Sequence, residues 1–394
     1  MKRLVRAILL ILAVGLLWSQ PAVAHAAPRL APQIRPEMEL LAGVLTQTTW
    51  IDRHGPQSEG NEYYRALRDF FSDYQSHEAI KLAQELTNLG YTYDAPIAFI
   101  CHLGPLPDLE LQHEYSEYIV GRAHGRERLE RFRSALKDLA AESNFMEFYR
   151  SWQPRYQQWV EAANMDGEMV VNWLEQFFGQ EASEFQIILA PAMFPGGGYG
   201  ATVTTAEGEK ISFQVVRERG ESTAEPSFPS GLGLEYLSLH EWGHSFVNPA
   251  LEARSDLVGR LVRFFRPVSR EMKAQAYGSV HVFMNEQVLR AVTTLAAEEL
   301  YGQERYEQFL ANEMDASFYL TEGIVNILRD YQNNRDTYPN FDAFVPVLLE
   351  RIGELAPGPW WKGLGLYWQV AAIVVGIILL RWSMARRGQQ RHRS

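Results

Sequence analysis

His240, Glu241 and His244 stand together in the run YLSLHEWGHSFVNP, residues 236–249. On a helix, residues four apart lie on one face, one turn from each other. Two imidazole nitrogens so placed can converge on one Zn²⁺ at about 2.0–2.1 Å. Glu241, beside the first imidazole, can take a proton from a metal-activated water and pass it to a leaving group. The chemistry this implies is hydrolysis. The same three residues also fit an ordinary polar helix face, since short motifs recur by chance. A third ligand decides between the two, because a catalytic zinc takes three protein ligands and keeps one position open.

The extended pattern HExxHxxGxxH is absent: Val247 and Ala250 occupy its Gly and His places. Asp256 follows His244 without a Gly-Thr lead-in. Glu286 is the better candidate, in SVHVFMNEQVLRAVTTL (279–295), where Asn285-Glu286 opens a helical pattern with Val288, Leu289, Val292 and Leu295. A carboxylate from this second helix closes a His₂Glu site. Glu298 and Glu299 are weaker alternatives, and a solvated helix face is the ordinary setting of a glutamate. Arg290, one turn after Glu286, is placed either to orient that carboxylate or to form a plain intrahelical ion pair.

These residues need elements to hold them. LEYLSLHEWG reads as a helix, with Asn248-Pro249 as its stop and Gly243 leaving room beside the site. Residues 37–180 are mostly helical by period, as in YYRALRDFF (63–71) and RERLERFRSALKDLAAE (126–142). Trp152, Trp159 and Trp173 belong to a core there. FQIILAPAMFPGGGYGATVTTAEGEKISFQVV (185–216) reads as strands with a hairpin, and 219–233 as a loop before helices resume from Leu234 to Gly353. Gly196, Gly197, Gly198 and Gly200 form neither GxxxxGK[ST] nor a helix-opening GxGxxG, which excludes a nucleotide cradle. The fold class expected is α+β, mostly α-helical, with a small sheet beside the HExxH helix.

Both ends of the chain carry a different signal. Lys2, Arg3 and Arg6 precede a short apolar run and small residues at Ala22–Ala26, the pattern of a secretory signal over 1–27. Near the other end, the uncharged run of 17 residues Leu364 to Leu380 has Trp360, Trp361 and Trp382 beside it and a basic tail after it. That pattern predicts a single membrane helix (362–382) with a cytoplasmic tail (383–394). Outside the 3 basic residues of the signal and the 5 of the tail, 29 basic residues face 48 acidic ones, a net charge of −19. Such a surface excludes nucleic acid as a partner. Cys101 is the one cysteine, so no intramolecular disulfide and no cysteine metal cluster can form.

HEWGHSFVNP, NEQVLRA and YQNNRDTYPNFDAFVPVLLERI (331–352) together resemble a bacterial HExxH family labelled a domain of unknown function and grouped with the glutamate-zincin metallopeptidases. The resemblance covers 186–352. It implies His240, His244 and Glu286 as ligands and Glu241 as base, with a strand around Ala192 to Val203 beside the cleft. A strand edge there would pair with extended peptide substrate. Tyr331 or Arg335, on the third block, is the expected donor to a developing oxyanion, with Tyr277, His281 and Tyr319 as rivals.

The organisation expected is a helical region over 28–184, a zincin-like metallopeptidase domain over 185–355, and the anchor. The protein would be an exported, single-pass membrane zinc metallopeptidase acting on peptide or protein substrates outside the cytoplasm. The alternatives are a catalytically silent binding protein on a zincin fold and a zinc hydrolase of non-peptide cell-envelope substrates.

Overall fold

Three apolar, β-branched runs without helical period become the strands β1 (Glu184–Ala190), β2 (Gly198–Thr204) and β3 (Lys210–Arg217). They form one sheet in the order β1-β3-β2, with β1 parallel to β3 and β2 antiparallel to it across a hairpin. The computed structural model describes residues 30–54, 60–181, 184–192, 198–219 and 224–356. The signal (1–27), the membrane helix (362–382) and the basic tail lie outside the described residues, as do Gly196 and Gly197. Among the described residues no helix is long and apolar enough to cross a membrane.

The strand register decides what each face carries. Ser212 lies beside Phe185, and Gln214 beside Gly200, so these side chains point the same way. That face receives the helix Leu232–Glu252, called here the motif helix. Ser238 Oγ donates to Gln214 Oε1 at 2.6 Å, and the Phe185 and Trp242 rings lie 4.7 Å apart. On the opposite face Arg35 sits 5.9 Å above the Phe213 ring. The helix Pro36–Leu45 reaches β1, and the helix Asp94–Cys101 packs on β2. Coverage of both faces is why β1 and β3 are buried almost throughout. Gln33 pairs with the outer side of β1, through Gln33 N to Ile187 O at 3.0 Å and Leu189 N to Gln33 O at 2.8 Å. β2 is the other edge.

Helices fill most of 36–178 and 232–354, so the chain is α+β and mostly helical. One buried cluster runs from Ile34 to Ile352 and joins the two helical regions into a shared core. Cys101 is buried within it, and burial pushes its thiol up to about 12. A second long helix, Val280–Tyr301, takes the name ligand helix from the candidate ligand it carries, Glu286; it is apolar on nearly every side and buried accordingly. It crosses the motif helix at Gly243, where a Cβ would lie 2.5 Å from Leu289 Cδ1.

Two boundaries differ from the sequence expectation. The motif helix continues through Asn248-Pro249 to Glu252. Pro249 falls in its last turn, where only the bond to Ser245 O is lost, and the burial of Val247, Ala250 and Leu251 holds the turn in place. The ligand helix starts at Val280, ahead of Asn285, because Ser279 caps it by accepting from Val282 N at 3.3 Å.

Candidate metal centre

The motif helix presents His240 and His244 on one face, their rings 4.9 Å apart and nearly perpendicular. The ligand helix brings Glu286 between them. His240 Nε2 lies 3.6 Å from Glu286 Oε2, and His244 Nε2 lies 3.4 Å from Glu286 Oε1. One donor atom from each of the three falls within 4.8 Å of the others. These separations exceed an N–H···O bond of about 2.7–3.2 Å. They suit ligands sharing a tetrahedral ion, which stand roughly 3.3–3.4 Å apart when each bond is about 2.0–2.1 Å. The side chains remain 15%, 22% and 10% exposed, so the centre is reachable from solvent.

Neighbouring side chains fix the donors. His244 Nδ1 faces Asn248 Oδ1 at 3.2 Å; a ring proton on Nδ1 would make this bond, with Nε2 the atom turned toward Glu286. Arg290 holds Glu286 from behind: its Nε donates to Oε2 at 3.2 Å. The same guanidinium donates through Nη1 to Glu313 Oε2 at 2.7 Å and through Nη2 to the Tyr277 hydroxyl at 3.3 Å. Its carbon lies 4.2 Å over the Phe318 ring.

Burial sets most of the electrostatics. It holds His240 well below the ordinary imidazole value, with His244 and Arg290 adding to the effect, so the ring is neutral. Glu241 keeps some solvent contact, yet burial pushes its carboxyl up to about 7; His244 opposes this, Glu286 adds to it, and the Gly200 backbone N–H favours the ionised form. Burial disfavours charge on Arg290 as well, but Glu286, Glu313 and Tyr277 outweigh it and keep the guanidinium above its usual value. The Tyr277 hydroxyl is raised by burial and by Glu286, against Arg290.

Edge strand β2 borders Glu241. A Cβ on Gly200 would lie 3.1 Å from Glu241 Oε2, and one on Gly198 3.3 Å from Oε1. The two glycines therefore let backbone approach the carboxylate to a distance most side chains would obstruct.

The structure places the remaining candidates elsewhere. Tyr331 and Arg335 do not adjoin the His-His-Glu group. Tyr331 is fully buried and donates to Phe177 O at 2.9 Å; Arg335 Nη1 donates to the same oxygen at 2.6 Å, and Nη2 to Pro339 O at 2.9 Å. They satisfy a carbonyl that the helix Gly167–Phe178 leaves free at its end. Tyr319 donates to Phe264 O at 2.7 Å, and exposed His281 bonds Ser255. Asp256 pairs with Arg260, Glu298 with Arg329, and Glu299 accepts from Trp173 Nε1. Tyr277 is the one oxyanion-donor candidate joined to the centre. Asn248 and Glu313 carry no such role in the sequence reading. Asn248 was findable, four residues after His244 on the same face; Glu313 lies on a separate helix with no motif around it.

A family model described as "Domain of unknown function (DUF4932)" matches residues 50–351. The chain belongs to this family. No curated protein and no solved structure matches it. The DUF4932 match takes in the N-terminal helical region as well as the His-His-Glu centre, so it reaches well beyond the 186–352 on which the resemblance rests.

Proposed function

We propose that this DUF4932 protein is a zinc metallopeptidase of glutamate-zincin type, with His240, His244 and Glu286 as ligands and Glu241 as general base. The observation that carries the reading is the spacing of two histidine Nε2 atoms, at 3.6 and 3.4 Å, from the two oxygens of one buried glutamate. Two imidazoles and a carboxylate are a donor set that suits zinc. Bound there, zinc supplies a Lewis acid that polarises a carbonyl and makes water a stronger acid.

The chain's own residues do the rest. Glu241 takes the proton of the attacking water as the C–O bond forms, then gives it to the amine as the C–N bond breaks. Its carboxyl, pushed up to about 7 by burial, binds and releases a proton near neutrality, and a cation beside it would favour the ionised form that starts the reaction. Tyr277 accepts from Arg290, which leaves its own proton for the carbonyl oxygen as negative charge develops. β2 is a sheet edge and borders Glu241, which favours an extended peptide laid beside it. Export and a single C-terminal anchor, with the centre outside the cytoplasm, rest on the signal-like start and on the apolar run Leu364 to Leu380 before its basic tail.

Metal analysis and a peptide-library screen of the full-length chain test this. Wild type and E241Q should each hold about one zinc, wild type should cleave, and E241Q should not. E286A should lose the metal. A wild type without zinc overturns the metal site in favour of a silent binding protein. Zinc without peptide cleavage points to a non-peptide substrate of the cell envelope.

A further inference from the structure

Glu313 is 5% exposed in the helix Gln303–Asp315, and the hydrolytic chemistry does not use it. A carboxylate so far from water needs a partner. That partner is Arg290, whose bond to Glu313 at 2.7 Å is shorter than its bonds to Glu286 at 3.2 Å and Tyr277 at 3.3 Å. The other Glu313 oxygen accepts from Tyr236 OH at 3.4 Å. Tyr236 is on the motif helix and stacks on Phe309, so Glu313 touches both helices that supply metal ligands.

A guanidinium is flat, with donors in a fixed fork. Anchoring Nη1 on Glu313 therefore sets where Nε and Nη2 point. It also divides the attraction of Arg290 between two carboxylates. Without Glu313, Glu286 would be the remaining carboxylate on Arg290, and a two-pronged pair is the favoured geometry. That pair would draw away Glu286 Oε2, the oxygen now 3.6 Å from His240 Nε2.

We infer that Glu313 is a positioning residue for the centre: it restrains Arg290, so that the oxygens of Glu286 stay turned toward His240 and His244 and the Tyr277 hydroxyl stays aligned. The inference rests on the metal-site reading, and the experiment separates the two.

The full-length chain is loaded with Co²⁺, its visible spectrum recorded, and its Zn²⁺ affinity measured by chelator competition. E313Q should weaken Zn²⁺ binding by about 10–100-fold and change the Co²⁺ spectrum. In the R290Q background, which lacks the cation that Glu313 restrains, adding E313Q should change the affinity no further. A side chain that only fills space predicts a second, additive loss. A folded E313Q with wild-type spectrum and affinity, or a double variant that binds Zn²⁺ more weakly than R290Q, overturns the role of Glu313. Should E313Q fail to fold, the charge-balanced double variant is compared with R290Q, and the two must bind Zn²⁺ alike if Glu313 acts through Arg290. A wild type that takes up no Co²⁺ overturns the metal site itself, and this inference with it.

Discussion

The hydroxyl of Tyr277 receives a bond from Arg290 at 3.3 Å and, raised by burial and by Glu286, keeps its own proton. A proton held in this way is a donor for charge that develops during reaction. Y277F should therefore lower kcat by about 10²–10³-fold while zinc content and KM stay near wild type, as read by steady-state kinetics on a cleaved peptide. An unchanged kcat would remove Tyr277 from the chemistry. The sequence held this residue only as a rival. His240, His244 and the pair Glu286 and Arg290 were legible because a spacing of four is a local property of a helix. The Tyr277–Arg290 and Glu313–Arg290 contacts join segments that only the tertiary fold brings together. For a related reason the sequence does not show that Tyr331 and Arg335 bond elsewhere. They are polar residues in a distinctive block, but the acceptor they serve, Phe177 O, is more than 150 residues away and has no sequence mark.

Two helices share one centre only if they approach closely, and Gly243 permits it. A Cβ there would meet Leu289 Cδ1 at 2.5 Å, inside any real contact distance. Leu289 is fully buried, so it has little space into which to turn. G243A should destabilise the protein by about 1–3 kcal/mol and loosen metal binding as the ligand helices separate. Trimming the opposing side chain in G243A/L289A should restore part of the metal affinity, read by the same chelator competition. Equal affinity in wild type and G243A would show that the crossing adapts without moving the ligands. In the sequence the glycine reads as room left beside the site; that Leu289 of the second helix fills that room does not show there. The helix ends show the same division. The Ser279 cap, six residues ahead of the expected start at Asn285, is a local bond to Val282 N, whereas the continuation past Pro249 depends on the burial of Ala250 and Leu251.

The whole molecule turns on the helix Pro36–Leu45, which touches β1 and the helices Glu62–Phe71, Glu78–Asn88, Asp94–Cys101, Arg126–Glu142 and Phe145–Ala162. It lies ahead of the family match that begins at residue 50, yet it is buried along nearly all its length and ties the N-terminal helices to the back of the sheet that carries the motif helix. Periodicity shows these helices; it does not show that Pro36–Leu45 reaches β1 and Asp94–Cys101 packs on β2. In the middle of that helix is Glu39, fully buried, with its carboxyl pushed up to about 8 by burial against an opposing influence from Tyr63. A folded-state value above the unfolded one means that the fold favours the protonated acid. The stability this gives is complete below the ordinary carboxyl value of 4.5 and is lost as pH rises through about 8. E39Q cannot ionise and escapes that loss. Its melting temperature relative to wild type should therefore climb between pH 4.5 and 8 and level off above, the window set by the two values of Glu39. Each kcal/mol of difference is worth about 2 °C in a large domain, well within reach of thermal melts at matched ionic strength. A difference between the two proteins that stays constant across that range would mean that Glu39 ionises as easily folded as unfolded, and that water reaches the centre of the N-terminal helices.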